Sequence, residues 1–403
     1  MTIPRKQDRR RRVARWALTV AAGALGGAFL WSLVGGAAGA VMAAASVAAA
    51  LAAGHRLMIA PPGVPVLTYH SVSPDPSWLP WSREISVHPK TFERHLRTLR
   101  KMGCNVIPTV DFVALRRAGR TVPPNSVMLH FDDGYRDNWL YAVPLLRRER
   151  MPATFFVSLD FIAPADMPAP PDPADSAGYM SWAEIAAIEA DPLFDVQSHG
   201  IDHGRVAISD RVVGKVTAAN WRKLAWVQWA RMEGPKHDWY RAEAPPAAPI
   251  GTPVPESEGA LAAPEFVNGR REGEQQFRGR IAAQLGRCRE VFSDRLGHPP
   301  RLFCWPENRA CAAGREVAAQ TGFEATTAGT GRNTADEPPA VLSRIHIGDR
   351  ALGFRCGPFE ALRLRAAVRL FQGNLYWYLV TAPMDLARRL VMGLRARFGS
   401  HFA

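Results

Sequence analysis

The sequence predicts an α/β fold in which helices cover a parallel β-sheet. Between residues 64 and 350, short apolar runs typical of buried strands alternate with amphipathic segments that have the period of a helix. Two of these strands lead directly into acidic or histidine-rich stretches, as in barrel enzymes whose reactive side chains follow the carboxyl ends of strands. Because a helix between consecutive strands makes those strands run parallel, the alternation indicates a parallel sheet.

The predicted elements follow one another in a regular order. Val64 opens the first strand, and the helix after it has an apolar face before Gly103 ends it. The elements after the opening strand are a helix over 89–102, a strand from 105, a short helix over 111–118, a strand over 126–132, a helix through 145–146, a strand over 153–158, a helix over 182–190, a strand over 194–198, a helix over 274–296, a strand over 301–305, a helix over 310–320 and a strand over 323–327.

The strand over 126–132 ends in two adjacent carboxylates, Asp132 and Asp133, followed by Gly134. Two carboxylates at the end of a buried strand are costly to hold together without a cation or a shared proton. An Asp-Asp-Gly sequence on its own is more often a simple turn, since Asp and Gly both favour turns. The hypothesis of a functional site therefore needs a second motif.

The second motif follows the strand over 194–198, which continues into His199–His203. Two imidazoles, from His199 and His203, together with one carboxylate would form a three-ligand metal site with an open position for water. The other carboxylate would remain available as a base. Asp-His-His ligand sets favour zinc and also suit cobalt, nickel or iron.

The two motifs, Phe131–Tyr135 and Ser198–His203, together resemble those of the polysaccharide deacetylase family, also called the NodB-homology or carbohydrate esterase 4 family. Val66–Val72 resembles the opening strand of its poly-N-acetylglucosamine deacetylase branch. Further similarities occur in the family's order at Pro152–Val157, at Phe303–Pro306 (the Trp-Pro form of the third motif), and at Thr326–Gly329 and Leu342–Ile345. The resemblance covers roughly residues 64–350. It implies a distorted (β/α) barrel and the metal-dependent hydrolysis of N-acetyl groups from a polysaccharide that contains N-acetylhexosamine.

The resemblance also implies the roles of individual residues. Asp133, His199 and His203 match the metal ligands of the family, with zinc as the expected metal, and Asp132 matches the general base. A base beside a ligand carboxylate is free to take a proton from water whose pKa the metal lowers.

Less specific expectations concern the rest of the site. The backbone N–H of Glu307 is expected to stabilise the oxyanion, and His346 is expected to protonate the leaving amine, although it also fits an ordinary strand histidine. The expected substrate contacts are His70, Tyr135 and Trp305.

The sequence departs from the family pattern at several positions. Gly200 stands where the family usually has Ser or Thr, and His130 stands where Thr is usual. Glu307 replaces the usual Tyr, and its carboxylate would be unfavourable beside an oxyanion unless it points away. The third-motif arginine that often orients the base is missing. Arg344 or Arg309 is a candidate to replace it.

Two other functions remain open from the sequence. The same chemistry could act on another acylated glycan, namely an O-acetyl ester, peptidoglycan or a lipid-linked sugar on the cytoplasmic face. The protein could also be an inactive glycan-binding or export scaffold, although the presence of both aspartates and both histidines argues for activity.

A membrane anchor is predicted near the N-terminus. Residues 1–15 form a basic tail, and residues 16–54 contain no Asp, Glu, Lys, Arg or His. One span needs about 20 apolar residues, so this segment suffices for one span or two. Its Ala-rich second half is a weak span. The sequence therefore favours a single-pass anchor in the inner (cytoplasmic) membrane with the tail in the cytoplasm and the catalytic domain exported. A hairpin turning near Gly35–Gly36 would instead leave that domain in the cytoplasm.

The remaining boundaries follow from composition. The deacetylase domain is expected over 61–355, with a surface loop over 163–178 and an insertion over 204–273. The aromatic residues of the insertion fit either a small core of its own or a lid that stacks on sugar rings. Residues 356–403 read as a basic amphipathic tail, which fits a membrane surface or packing against the barrel equally well.

Charge and cysteine content limit the partners. The net charge is +13, but much of the excess lies at the two ends and no nucleic-acid motif appears, so nucleic acid is not an expected partner. The expected partners are the polysaccharide, the membrane and proteins of polysaccharide synthesis or export. Five widely spaced cysteines without a CxxC pair predict buried thiols, although Cys304 and Cys311 could pair in an exported domain.

Overall fold

The computed structural model describes residues 4–164 and 176–398, so most of the expected loop over 163–178 lies outside the described residues. The chain forms two compact units. The barrel unit contains Val66–Gly329 and Pro338–Asp349, and the helical unit contains Met1–Pro65, Thr330–Glu337 and Arg350–Ala403.

The barrel unit is built on a parallel sheet that nearly closes into a (β/α) barrel, which confirms the predicted fold class. The strands of the sheet are β1 (Val66–Tyr69), β4 (Asn105–Val106), β5 (Ser126–Phe131), β6 (Ala153–Val157), β7 (Phe194–Ser198), β12 (Leu302–Phe303), β13 (Ala325–Gly329), β14 (Val341–Ser343) and β15 (Ile345–His346). Their order is β14-β13-β12-β7-β6-β5-β1-β15, and β4 pairs with β5. A separate short pair is formed by β2 (Ser71–Val72) and β3 (Ser86–Val87).

Parallel pairing brings the two motifs to the same edge of this sheet. Every residue of β5 is buried, and β5 runs parallel to β1 on one side and to β6 on the other. β7 pairs with β6 in register from Phe194 to Ser198. The segments that follow Phe131 and Ser198 therefore leave neighbouring parts of the barrel at its carboxyl end.

The helices outside the sheet agree with the sequence pattern except for α3, which was not predicted. They are α3 (Ser82–Ile85), α4 (Pro89–Lys101), α5 (Thr109–Arg117), α6 (Val143–Glu149), α7 (Trp182–Glu189), α9 (Glu274–Leu296) and α10 (Ala312–Gln320). In α4 the predicted face is buried at Phe92, Leu96 and Leu99. In α9 the buried residues recur with helical spacing from Phe277 to Phe292, so this helix packs one face on the sheet.

The insertion over 204–273 is a β-ribbon with a short helix, which the sequence did not predict. Strands β8 (Arg205–Lys215) and β9 (Pro253–Gly259) pair antiparallel, α8 (Ala225–Trp229) lies between them, and β10 (Phe266–Val267) pairs with β11 (Arg270–Arg271). Three of its tryptophans are buried, namely Trp221, Trp229 and Trp239. Trp221 lies in a small cluster of the insertion's own residues, whereas Trp229 and Trp239 pack with Tyr135 and Phe161 outside the insertion.

The helical unit begins with two long apolar helices, α1 (Arg5–Val34) and α2 (Gly36–Met58). Both are long and apolar enough to cross a membrane, and they suggest a membrane anchor. The chain reverses at Gly35 and Gly36, which adopt φ of 67° and 54°. The sequence favoured a single span and kept a hairpin as the alternative, and two helices of sufficient length are what a hairpin requires. Each uncharged half, 16–34 and 36–54, is about 28 Å of helix, close to the thickness of the hydrocarbon core of a bilayer.

Small residues line the contact between α1 and α2. A Cβ on Gly23 would lie 2.2 Å from the Cβ of Ala50, and one on Gly27 would lie 2.9 Å from the carbonyl oxygen of Ala43. Ser46 Oγ donates to the carbonyl of Gly23 at 3.0 Å. The large apolar side chains, such as Leu25 and Phe29, point outward and are exposed. Close backbone contact with outward apolar side chains is typical of helices that pair in lipid.

Two further helices complete the helical unit, α11 (Gly357–Phe371) and α12 (Tyr378–Phe398). They contact the N-terminal helices rather than standing alone. Arg5 lies over the ring of Phe371 and Arg9 over the ring of Tyr378, at 4.8 and 4.6 Å. The basic C-terminal segment is thus packed in part against the anchor itself.

Candidate active site

The two motifs bring Asp133, His199 and His203 together. Asp133 adopts φ of 75° immediately after β5, a left-handed conformation that is uncommon outside glycine. His203 Nε2 lies 2.8 Å and His199 Nε2 lies 3.1 Å from the same oxygen, Asp133 Oδ1. The loop that carries the histidines turns through Gly200 at φ 85°. This residue replaces the usual Ser or Thr at a position where glycine is unstrained.

A backbone carbonyl group fixes the orientation of the His199 ring. Its Nδ1 lies 2.8 Å from the backbone carbonyl oxygen of Cys304, which leaves Nε2 to face Asp133. A backbone carbonyl on the far nitrogen is the usual support of a metal-binding histidine. His199 and Asp133 are largely buried, and burial alone would raise the pKa of Asp133. The charge of His203 and the hydrogen bonds from both histidines instead hold that pKa well below its ordinary value.

These three side chains fit a divalent cation. One ligand atom from each lies within 4.8 Å of the others. The set of two imidazole nitrogens and one carboxylate oxygen suits zinc and its neighbours in the first transition row. Asp132, His199 and Cys304 form a second group at the same spacing. It fits a cation less well, because both oxygens of Asp132 already accept hydrogen bonds from Arg344.

Asp132 is held by a buried ion pair. Arg344 Nη1 donates to both carboxylate oxygens, at 2.8 and 2.7 Å, and both side chains are almost fully buried. The Nε and Nη2 of Arg344 each donate to Asn308 Oδ1 at 3.3 Å. Burial alone would raise the pKa of Asp132, but the charge of Arg344, with smaller contributions from His199 and His70, holds it below the ordinary value of 3.8. The carboxylate is therefore ionised at neutral pH.

Of the two arginines considered as replacements for the missing third-motif arginine, Arg344 is the one that binds Asp132. It comes from the junction of β14 and β15, far from the third motif in sequence. Arg309 instead pairs with Glu258 of the insertion.

Two further histidines, His70 and His346, lie near Asp132. His70 Nε2 is 3.9 Å from Asp132 Oδ2, and the rings of His70 and His346 are 5.1 Å apart. Burial lowers the pKa of His70 to about 4 despite the attraction of Asp133 and Asp132, so its ring is neutral at neutral pH. His346 pairs with Thr68 of β1 in the sheet, and its Nε2 lies 2.8 Å from the backbone carbonyl oxygen of Glu84.

Two of the expected substrate contacts need correction. Trp305 is fully buried and packs on Phe303, at 4.7 Å between ring centroids, so it supports the barrel and does not reach a substrate in this conformation. Tyr135 is also buried, among the aromatic residues at the base of the insertion, and its hydroxyl accepts a hydrogen bond from Trp81 Nε1 at 3.4 Å. It is not positioned to contact a sugar. A motif conveys which residue is present but not the direction of its side chain.

The carboxylate of Glu307 is held by another residue, as the sequence requires if the backbone of Glu307 is to stabilise an oxyanion. Its backbone is left-handed, with φ of 54°, and its carboxylate forms an ion pair with Arg205 at the start of β8. His130 is a packing residue. It is fully buried beneath the site, with Nε2 2.9 Å from Thr109 Oγ1 and its ring 4.9 Å from that of Phe156.

Sequence reasoning missed three residues at this site. Asn308 accepts from Arg344, Arg205 holds Glu307, and Trp81 donates through Nε1 to the hydroxyl of Tyr135 at 3.4 Å. None of them belongs to a motif. Each acts on a partner that is distant in sequence, so no local signal was available.

Comparisons with known proteins agree with this geometry. The family model described as Polysaccharide deacetylase matches residues 119–241, a range that contains both motifs. The putative polysaccharide deacetylase YxkH of Bacillus subtilis (strain 168) is 31% identical over 97 residues, which are 24% of this chain and 32% of that protein. The poly-beta-1,6-N-acetyl-D-glucosamine N-deacetylase of Escherichia coli (strain K12) is 20% identical over 270 residues, 65% of this chain and 33% of that protein. The chain thus spans about a third of the length of these curated relatives.

A solved structure shares the fold. The deacetylase domain of BpsB from Bordetella bronchiseptica superposes with a TM-score of 0.50 at 20% identity, covering 72% of this chain and 97% of that domain. At this level of identity the likeness extends to the fold of the barrel and no further.

Proposed function

We propose that this chain is a metal-dependent hydrolase that removes N-acetyl groups from a polysaccharide containing N-acetylhexosamine, as its match to the Polysaccharide deacetylase family model over residues 119–241 suggests. The observation that carries the proposal is the convergence of His199 and His203 on Asp133, directly beside the Arg344-bound Asp132. An inactive scaffold would have no need to bury this many paired charges at one edge of the barrel.

A divalent cation, with zinc the first choice, would be held by Asp133, His199 and His203. When bound, such a cation supplies a Lewis acid that polarises the acetyl carbonyl and lowers the pKa of water. The remaining steps depend on residues of the chain itself.

Asp132 is the proposed general base. It is ionised, it is adjacent to Asp133, and Arg344 holds both of its oxygens in place. As the oxygen of water bonds to the acetyl carbon, Asp132 takes the proton that water gives up. A base that is already oriented needs no reorganisation at that moment.

Glu307 is proposed to act on the oxyanion, and His346 is proposed to act on the leaving amine. The backbone N–H of Glu307 would stabilise the oxyanion, which is compatible with a carboxylate that Arg205 turns away. As the carbon–nitrogen bond breaks, the amine must gain a proton. His70 is neutral at neutral pH, since its pKa is about 4, so we assign this proton to His346. The products are acetate and a free amine.

The first substrate to test is a β-1,6-linked N-acetylglucosamine polymer, since that is the substrate named for the Escherichia coli relative. We also propose that the protein works beside the polysaccharide synthesis or export proteins of the inner (cytoplasmic) membrane. The exported arrangement expected from the sequence requires one span, whereas α1 and α2 support a hairpin.

The test is acetate release by the purified full-length chain in detergent, from β-1,6- and β-1,4-linked N-acetylglucosamine oligomers. The chain is stripped with a chelator and assayed with and without added zinc or cobalt, beside Asp132→Asn. Metal-dependent release that the substitution abolishes is the expected result. Stoichiometric metal without release from either oligomer would point to a different acylated substrate. Absence of both metal and release would support the scaffold alternative.

A further inference from the structure

The two ends of the hairpin lie together in the helical unit. The ring of Tyr376 contacts both helices at their charged ends: Trp16 of α1 packs edge-on at 6.3 Å, and His55 of α2 stacks at 5.8 Å between centroids. A Cβ on Gly54 would lie 2.8 Å from the ring of Trp16. The basic N-terminal tail and the exit from α2 toward Val66 are therefore at the same end of the hairpin.

Positively charged residues flank the hairpin only at the end opposite its turn. All 50 Lys and Arg residues of the chain lie outside 16–54, and the turn at Gly35–Gly36 is flanked by Val34 and Ala37. By contrast, Arg10, Arg11 and Arg15 are exposed at the other end. Positively charged flanks remain in the cytoplasm when a membrane protein inserts, and an uncharged turn offers nothing to oppose its own passage into the bilayer.

The helix α12 carries an apolar stripe without a partner among the described residues. Leu379, Leu386, Leu390 and Leu394, which we term the leucine stripe, follow one another at helical spacing, and each is more than half exposed. The opposite face of the helix is the packed one, where Thr381 and Met384 are buried. The stripe begins one residue after Tyr378, whose ring Arg9 of α1 covers.

Exposed arginines accompany the leucine stripe. Arg388, Arg389 and Arg395 are exposed on α12. A helix with an apolar stripe and a basic polar face fits the boundary between headgroups and acyl chains of an anionic leaflet. The fit to a lipid surface is better than to a second protein, because this helix belongs to the same compact unit as two helices that are long and apolar enough to cross a membrane.

We propose that the hairpin and the leucine stripe form one membrane-binding device that inserts from the cytoplasmic side, so that the N-terminus and the barrel unit both face the cytoplasm. Chain continuity requires this side for the barrel unit, which starts at Val66 only eight residues after α2 ends at Met58. The five cysteines, including Cys304 and Cys311, are all free thiols, as is usual in a reducing compartment.

The proposal has a consequence for the substrate, and only this consequence rests on the proposed deacetylase activity. An enzyme facing the cytoplasm acts before export, so its acetylated sugar must be presented at the cytoplasmic surface of the membrane. A lipid-linked N-acetylhexosamine, supplied by a membrane glycosyl-phosphate or glycosyl transferase reaction, has the required chemistry.

The first experiment determines on which side of the membrane the C-terminus of the chain lies. Green fluorescent protein and alkaline phosphatase are fused in turn to the C-terminus of the full-length chain in a bacterial host. We expect fluorescence and no phosphatase activity. The matched control lacks Gly36–Met58 and keeps one apolar helix, which should export the fusion and activate the phosphatase. Phosphatase activity on the intact chain would overturn the proposal. Asp132→Asn should leave both signals unchanged, so this result is independent of catalysis.

The second experiment tests the leucine stripe in the full-length chain. An environment-sensitive fluorophore is placed at Leu390→Cys or at Met392→Cys, in a chain whose partly exposed Cys104, Cys311 and Cys356 are serine. Both positions are exposed, but they lie about 200° apart around the helix. In nanodiscs that contain phosphatidylglycerol, a lipid-borne quencher should reduce the signal at Leu390→Cys several-fold more than at Met392→Cys. Equal quenching at the two positions would overturn the assignment of the stripe to the membrane.

Discussion

At the strand ends of the barrel unit charged side chains are buried, whereas along the hairpin of the helical unit large apolar side chains are exposed. Asp132 is 1% exposed and Arg344 is 8% exposed, while Leu25 of α1 is 73% exposed. A buried charge depends on one particular partner, because losing that partner leaves the charge without compensation. An apolar surface in lipid depends on no single residue. Single substitutions should therefore have large effects in the first region and small effects in the second.

The largest effect is expected at Arg344. Arg344→Met leaves Asp132 buried and unpaired, which should lower the free energy of unfolding by about 3–5 kcal/mol. It should also raise the pKa of Asp132 and move the acidic limb of kcat/KM to higher pH. Arg309→Met is the control, since Arg309 is more than half exposed in its ion pair with Glu258, and such a pair is worth less than about 1 kcal/mol. Thermal unfolding and a pH–rate profile check both, and similar losses in the two variants would contradict the prediction.

The next effect concerns two buried histidines of the barrel unit, His95 and His130. Burial lowers the pKa of each from 6.5 to about 3. Between pH 6.5 and pH 3 the unfolded chain binds more protons than the folded chain. The free energy of unfolding is therefore highest above pH 6.5 and falls as the pH decreases. Each histidine should cost about 2 kcal/mol between pH 6.5 and pH 5.

The measurement is denaturant unfolding of the full-length chain at a series of pH values, beside His95→Gln. Gln can still pair with the hydroxyl of Tyr69, the partner of His95 at 3.2 Å. The variant should begin less stable at neutral pH and lose less stability on acidification. A parallel decline in the two proteins would show that His95 does not titrate on unfolding.

A smaller effect is expected where the insertion meets the site. Arg205→Met frees the carboxylate of Glu307 to approach the developing oxyanion, and turnover should fall several-fold. Glu307→Gln removes that charge and should change turnover little. The double variant should recover most of the activity lost in Arg205→Met, because the harmful carboxylate is absent. Steady-state acetate release compares the three, and a double variant as slow as Arg205→Met would refute this role.

The smallest effect is expected in the hairpin. Gly27→Ala places a Cβ 2.9 Å from the carbonyl oxygen of Ala43, whereas the neighbouring Gly26→Ala meets only Ser46 Oγ at 3.4 Å. The first should separate the helices slightly and lower thermal stability in detergent by about 1 kcal/mol or less, and the second should be neutral. Neither should alter acetate release from a soluble oligomer. A loss of activity in Gly27→Ala would contradict the expectation that single substitutions in the hairpin have only small effects.

The fold could be predicted because its signals are local. Strands such as β5 and β6 are short apolar runs, and the helices show their buried faces in the spacing of residues such as Phe92 and Leu96. The insertion could not be predicted in the same way. Its ribbon pairs Arg205 with Gly259, and no local pattern reveals a partner that far along the chain.

The candidate site could be predicted only in part for the same reason. Asp133, His199 and His203 follow strands that the parallel sheet brings together, so their proximity follows from topology. The Arg344 pair was one of two hypotheses, since charge alone does not distinguish Arg344 from Arg309. Composition does not single out the turn between α1 and α2, because Gly35 and Gly36 lie among many other glycines and alanines. Only the length of the uncharged segment indicates that two helices could fit.

The path of the chain between the two units limits how this protein can be divided. It crosses from one unit to the other four times, and the short return over Pro338–Asp349 carries both Arg344 and His346. A cut anywhere between Gly329 and that return would break the covalent link between most of the barrel unit and Arg344, the partner of Asp132. A chimaera that exchanges the barrel unit would therefore have to keep all four junctions intact.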